Sequence, residues 1–351
     1  MTQDEKYLSM AMELSKKGLG HVAPNPMVGA VIVAGGRVIG EGYHMKYGSW
    51  HAEVNAVNSV SPDDVRLLPE STMYVTLEPC SHYGKTPPCA KLIIDKKIKR
   101  VVVANMDPFP QVSGRGIGML RDAGIDVTTG VLENVGREIN KRFITLHEKH
   151  RPYIFLKWAQ TADGFIGKRG TRVMISNDDT EKLSHTLRAT EMAILVGWET
   201  VLNDNPQLST RHVEGDSPLR LTVYKGDVDE LKRKLLSLNI SDNSAPTIIF
   251  AETETRLNDF ARTTRIDFSK EILPQIMCEL WSMNVSSLIV EGGAKTLQMF
   301  IDSGLWDEAR VETASELRIG DGVSAPVLSG AQFDRTETFE TNKVDFYKKG
   351  C

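Results

Sequence analysis

Short apolar runs of two different periods alternate along the chain. Leu8–Lys17 has apolar positions at helical spacing, and Val28–Val33 is a continuous apolar run. Gly35-Gly36 stops that run and a second, Val38–Gly42, follows, which predicts a β-hairpin. Ala52–Val60 returns to helical spacing, Thr72–Leu77 reads as a strand, Cys89–Lys96 as a helix and Arg100–Ala104 as a buried strand. Gly118–Ala123 predicts a helix, Asp126–Thr129 a strand, and Glu133–His147 one helix leading away. Strands and helices in alternation bury a sheet between helices, so an α/β layered domain is expected.

Arg151-Pro152 interrupts the pattern, because the residue before a proline is pushed out of helical geometry. That places a boundary between a first domain, 1–149, and a second, 150–351. In the second, Tyr153–Trp158, Ala193–Val196, Leu219–Val223, Thr247–Ala251 and Ser287–Val290 are strand-like. Asp178–Ala189 and Thr296–Ser303 are helical. Ile272–Trp281 is apolar-periodic, which puts Cys278 in a core. This half is again α/β.

Composition narrows the class. Of 351 residues, 41% are hydrophobic and 25% charged, as in ordinary globular proteins. Forty-two Lys+Arg against 46 Asp+Glu give a net charge of −4, without the basic footprint of a general nucleic-acid binder. No apolar run approaches the roughly 18 residues of a membrane helix. Met1–Lys6 lacks the basic-then-apolar layout of a secretory signal, so a cytoplasmic, thiol-reducing setting is expected.

There a close cysteine pair points to metal chemistry before a disulfide. His51, Cys80 and Cys89 offer an imidazole and two thiolates, each at or near the start of a predicted helix, where the dipole favours thiolate. Three protein ligands leave zinc an open position for water, whose pKa then falls to about 7. Glu53, two residues past the histidine, is placed to carry protons rather than to ligate. His-x-Glu followed by Pro-Cys and a second Cys is the arrangement of zinc nucleobase deaminases. A structural four-ligand site needs one more ligand, for which His82 is the candidate. Eight residues, rather than two, separate the cysteines.

Pro79-Cys80-Ser81-His82-Tyr83-Gly84-Lys85-Thr86-Pro87-Pro88-Cys89 resembles the zinc motif of the bifunctional riboflavin-biosynthesis deaminase–reductases. Pro24-Asn25-Pro26-Met27-Val28-Gly29, Gly42-Tyr43-His44, Asp107-Pro108 and Gly114-Arg115-Gly116 support it. In the second half so do Lys157–Gly164, Arg188-Ala189, Gly197, Thr200, Asn203–Pro206, Leu208, Arg211 and Glu291-Gly292-Gly293. The resemblance covers essentially the whole chain. It implies an N-terminal cytidine-deaminase-like three-layer α/β/α domain and a C-terminal dihydrofolate-reductase-like α/β domain. It also implies one zinc ion per chain, NADPH, small pyrimidine ribosyl phosphates as substrates and a homo-oligomer, dimer or tetramer.

By the same resemblance Asn25, His44, Lys85 and Asp107 contact the deaminase substrate, although Asn25 also suits a turn and His44 a surface imidazole. Arg172, Arg188, Leu208, Arg211 and Glu291 fall on reductase substrate positions, the arginines suiting a phosphate as well as solvent. Ala159, Met174, Thr200, Asp204, Lys225, Gly293, Ala294, Lys295 and Thr296 fall on cofactor positions, with Asp204 in a turn-rich loop and Lys225 equally suited to solvent. Three departures stand out. Phe109 replaces the usual Asn, Arg172–Ser176 replaces Ser-x-Trp-Ile-Thr, and Tyr224-Lys225 replaces Asp-Ser.

Three other functions are weighed. A tRNA or nucleoside deaminase calls for a basic face or the short cysteine spacing. A non-catalytic zinc-stabilised interaction protein has no need of Glu53. The third is a deaminase whose reductase half is degenerate.

Overall fold

Thr2 starts the first helix as a reciprocal cap: its Oγ1 accepts from Glu5 N at 3.2 Å, and Glu5 Oε2 accepts from Thr2 N at 2.6 Å. This is seen in a computed structural model that describes residues 1–83, 87–109, 113–168, 170–171 and 173–350. The chain divides into two units, Met1–Lys149 and His150–Cys351.

The first unit runs α1 (Gln3–Lys16), β1 (Gly29–Ala34), β2 (Arg37–Tyr43), α2 (Ala52–Asn58), β3 (Thr72–Leu77), α3 (Cys89–Asp95), β4 (Arg100–Asn105), α4 (Arg115–Asp122), β5 (Asp126–Thr129), α5 (Glu133–Ile139) and α6 (Lys141–Lys149). Its five strands lie in the order β2-β1-β3-β4-β5. The predicted hairpin is β1–β2, closed where Ala34 pairs with Arg37. β1 is antiparallel to β3, whereas β3, β4 and β5 are parallel.

Alternate strand residues feed two cores. Ile32, Val75, Val101 and Val103 meet Ala56 and Val57 of α2, Ile93 of α3 and Leu120 of α4. Val31, Val33, Tyr74 and Val102 meet Leu8, Ala11 and Met12 of α1. Both sheet faces are covered, so the inner strands β1, β3 and β4 are buried along almost their whole length, and each large side chain buried contributes about 1.5–3 kcal/mol. The three-layer expectation holds.

The single helix expected over Glu133–His147 is instead two. Asn140 separates them, with φ −100° and ψ 22°. Its Oδ1 accepts from Met27 N at 2.8 Å and its Nδ2 donates to Met27 O at 3.0 Å. The side chain serves a distant backbone, and the helix yields there.

The second unit runs β6 (Tyr153–Thr161), β7 (Phe165–Gly167), α7 (Asp178–Thr190), β8 (Ala193–Gly197), α8 (Trp198–Asp204), β9 (Leu219–Val223), α9 (Val228–Leu235), β10 (Thr247–Ala251), β11 (Thr255–Arg256), β12 (Ala261–Arg265), α10 (Ile272–Ser282), β13 (Ser287–Glu291), α11 (Ala294–Asp302), β14 (Glu308–Ala314), β15 (Val323–Ser324), β16 (Ala331–Phe339) and β17 (Asn342–Lys349). Ten strands form one sheet, ordered β11-β12-β10-β9-β8-β13-β6-β14-β17-β16. From β12 to β14 all pairs are parallel, and antiparallel strands flank them at either end. Ile154, Leu156, Leu288 and Val290 pack with Ile276, Leu280, Leu297 and Phe300 of α10 and α11. Phe155, Ile194 and Ile289 pack on the other face with Leu187, Val201 and Leu231 of α7, α8 and α9.

Cys278 is a second correction: it is exposed, not core. Leu273, Ile276, Met277 and Leu280 take the buried stripe of α10, and Cys278 falls on the other side of that helix. Among the described residues no helix is long and apolar enough to cross a membrane.

Candidate active sites

In the first unit the helix starts converge as expected. His51 is the N-cap residue of α2, with φ −72° and ψ 165°, and Cys89 is the first residue of α3. His51 Nδ1 lies 3.6 Å from Cys80 Sγ and 3.4 Å from Cys89 Sγ. The three ligand atoms lie within 4.8 Å of one another. Cys80 Sγ also accepts the backbone N–H of Cys89 at 3.3 Å. Among the described residues no fourth ligand joins them, and His82 is exposed. The donor set fits a zinc ion with one position left for solvent.

These groups polarise one another. The Cys89 thiol, with His51, brings Cys80 down to about 4 despite its burial. The same contact with Cys80 raises Cys89 well above its usual value and lifts His51 to about 9. Glu53 is 3% exposed. Burial, then the Cys80 charge, pushes it up to about 7, and a cation on the ligands pulls the other way.

His44 and Asn25 lie beside this cluster. The ring of His44 is 5.6 Å from that of His51, edge to face. His44 Nδ1 donates to Trp50 O at 3.0 Å, which leaves Nε2 to accept from Asn25 Nδ2 at 3.3 Å. That fixes one neutral tautomer, and burial keeps the ring below its usual pKa. Asp107 is raised to about 6, first by burial and then by Glu78. Lys85 lies outside the described residues.

Glu78 escaped the sequence reading. Its carboxylate accepts four backbone N–H groups: Asp107 and Gly114 on Oε2 at 3.2 and 2.9 Å, Gly116 and Ile117 on Oε1 at 2.9 and 3.2 Å. It thus ties the residues before Cys80 to Asp107 and to the start of α4. A carboxylate between an apolar strand and Pro79-Cys80 is the signal that pointed to it.

In the second unit Glu291, at the end of β13, accepts from Arg188 Nη2 at 2.7 Å and lies 3.4 Å from Lys157 Nζ. Burial opposes its charge, but Arg188 and Lys157 prevail and hold its carboxyl down at about 2. Arg188 Nη1 also reaches Ser209 O at 3.5 Å, and Arg211 Nη1 donates to Ser209 Oγ at 3.1 Å. Leu208, buried at 3% exposure, sits beside them with φ +56°. Lys157 is a further residue the sequence reading left without a role; a lone charge in an apolar strand marks it.

A second group surrounds the start of α11. Gly292 has φ +82°, and a Cβ there would lie 3.0 Å from Thr200 Cγ2. Thr200 Oγ1 accepts from Gly293 N at 3.1 Å. A Cβ on Gly197 would meet Thr296 Oγ1 at 2.5 Å, so Thr200, Gly293 and Thr296 come together. Ala294 begins the helix, and Lys295 is exposed with Glu199 at 3.6 Å. This bare, glycine-built helix start suits a pyrophosphate. Ala159 lies on β6 opposite Glu312 of β14. Asp204 ends α8 and is exposed, Met174 is exposed, and the Lys225 ammonium lies 5.7 Å from the centre of the Phe268 ring. Arg172 is outside the described residues.

Comparison with known proteins adds three findings. The family described as the cytidine and deoxycytidylate deaminase zinc-binding region matches residues 1–105, and that described as the RibD C-terminal domain matches residues 152–347. The chain is 38% identical to the riboflavin biosynthesis protein RibD of Aquifex aeolicus, over 97% of this chain and 95% of that one. It is 37% identical to the RibD protein of Bacillus amyloliquefaciens, over 94% and 89%. Among solved structures it resembles a diaminohydroxyphosphoribosylaminopyrimidine deaminase/5-amino-6-(5-phosphoribosylamino)uracil reductase from Thermotoga maritima, with a TM-score of 0.87, 36% identity and 99% of both chains covered. It also resembles Acinetobacter baumannii RibD, with a TM-score of 0.89, 28% identity and 99% of both chains covered.

Proposed function

The chain belongs to the RibD family of riboflavin-biosynthesis proteins, and from that premise we propose that it performs two consecutive reactions on one substrate. The first is hydrolytic deamination of 2,5-diamino-6-ribosylamino-4(3H)-pyrimidinone 5′-phosphate. The second is reduction of the ribosyl group to ribityl at the expense of NADPH. The observation that carries the reading is the convergence of His51, Cys80 and Cys89 within 4.8 Å, with buried Glu53 two residues from the histidine.

His51 Nδ1, Cys80 Sγ and Cys89 Sγ hold the zinc ion in this reading. A zinc ion with an open position acidifies water and so supplies a nucleophile at neutral pH. Glu53 manages the protons: its carboxylate would take one from the attacking water and give it to a ring nitrogen, then take the second from the added hydroxyl and give it to the amine as the C–N bond breaks. Asn25 and His44, locked to each other, present fixed polar groups to the ring. Asp107 supplies a further contact.

In the reductase half Arg188 and Arg211 meet the 5′-phosphate, the role to which guanidinium groups are best suited. Glu291 stays ionised and therefore accepts hydrogen bonds from sugar hydroxyls. Thr200, Gly292, Gly293 and Thr296 form a cradle that a side chain on Gly292 would fill, which fits the NADPH pyrophosphate. NADPH supplies a hydride for C1′ of the ribose. A cytoplasmic setting and a homo-oligomer complete the reading, the latter testable by sedimentation.

The test is zinc analysis with turnover of the ribosylaminopyrimidine phosphate, with and without NADPH. One zinc per chain, ammonia release in both cases and NADPH oxidation after deamination are expected. Ammonia release without NADPH oxidation would leave a deaminase with a degenerate second half.

A further inference from the structure

His185 of α7 is buried at 3% exposure, and neither reaction has used it so far. It stands three residues before Arg188 on the same helix. Its Nδ1 accepts the backbone N–H of Arg211 at 3.1 Å, so that nitrogen carries no proton. His212, from the same loop as Arg211, packs edge to face at 4.5 Å between ring centres. The titratable groups that face it are Arg188, Arg211, His212 and Glu291. Burial, then the two guanidinium groups, holds the imidazole down at about 4, so it is a neutral acceptor at ordinary pH.

The segment it grips is tightly constrained. Leu208 has φ +56°, a conformation that L side chains rarely adopt, and such backbone persists only where its surroundings over-determine it. Here Arg220 Nη1 reaches Gln207 O at 3.3 Å, Arg188 Nη1 reaches Ser209 O at 3.5 Å, and Thr210 N donates to Ser217 Oγ at 3.1 Å. His185 completes the set at the residue whose guanidinium the substrate reading uses.

We propose that His185 is a positioning residue of the reductase half: it fixes the Arg211 peptide and so aims the Arg211 guanidinium at the substrate phosphate. The proposal rests on the reading that Arg188 and Arg211 bind that phosphate. His185 acts through Arg211 rather than on the reacting atoms.

The test uses the full chain with its zinc. His185→Phe keeps the ring and removes the acceptor, whereas His185→Asn returns an oxygen close to the Nδ1 position. Reductase kinetics are measured on the deaminated ribosylamino-uracil phosphate, with inorganic phosphate as competitor. His185→Phe should raise KM by about tenfold, the loss of one good hydrogen bond, and weaken phosphate inhibition, with kcat little changed. His185→Asn should restore most of the loss, and deaminase turnover should stay at the wild-type level throughout. An unchanged KM in His185→Phe, with a raised KM in Arg211→Ala, overturns the proposal alone. An unchanged KM in both overturns the phosphate reading and the proposal with it. If His185→Phe also costs deaminase turnover, His185→Gln decides, because it is polar and its carbonyl lies one bond beyond the Nδ1 position. A raised KM there supports the proposal and an unchanged one sinks it.

Discussion

Glu53 can serve as the proton carrier because almost nothing solvates it. Replacement with Gln keeps size and shape but removes the transferable proton. Glu53→Gln should cut deamination by about 10²–10⁴-fold while zinc content stays at one per chain. Surviving turnover would mean that another group moves the protons. His185 carries a different prediction. Its pKa falls from 6.5 to about 4 on folding, so below pH 6.5 the unfolded chain takes up this proton first. Stability is therefore lost as pH drops from 6.5 towards 4 and is unaffected above that window. Denaturant titrations of wild type and His185→Asn should agree at pH 8 and diverge at pH 5, with the variant losing less. At this scale the sequence was readable where a residue's identity is its chemistry, as for His51, Cys80, Cys89 and Glu53. It was silent on His185 and marked Glu78 only by its place before Pro79-Cys80, because their partners are backbone amides 26 positions away in the first case and 29 or more in the second.

Among the elements, prediction worked where a strand is buried on both faces. Thr72–Leu77, Leu219–Val223 and Thr247–Ala251 have the bounds that the apolar pattern gives. It failed at the C-terminal hairpin. β16 is almost wholly exposed, and its sequence AQFDRTETF offers no apolar alternation to read. α8 was not foreseen, since Asn203-Asp204-Asn205-Pro206 offered only turn chemistry, weighed against a cofactor role for Asp204. That chemistry marks the end of the helix, where Asn205 has φ +41°. Glu78 ties elements together across the first unit. Removing its carboxylate leaves four backbone donors unpaired, each costing about 1–3 kcal/mol if it stays buried. Glu78→Ala should lower the unfolding temperature of the first unit and its deaminase turnover, with reductase turnover on supplied intermediate preserved. Equal loss of both activities would show that the clamp serves more than the zinc site.

For the whole molecule, two units each bury their own core, and each holds one of the two clusters of candidate site residues. Inactivating one half should spare the other. A mixture of Glu53→Gln chains with Arg188→Ala/Arg211→Ala chains should regain net conversion of starting substrate to ribityl product, through intermediate released into solution. Failure of the mixture, with each variant competent in its own remaining step, would indicate that the intermediate is passed within one chain.

The Glu78 clamp has a consequence for how this scaffold can diverge. One carboxylate grips the backbone on both flanks of residues 108–113, at Asp107 and at Gly114. Ser113 N also donates to Phe109 O at 3.0 Å. With Asp107 and Gly114 both held by Glu78, a substitution at Phe109 should leave the ligand cysteines in place. Phe109 is thereby a position at which the deaminase can be retargeted to another aminopyrimidine without disturbing its zinc ligands.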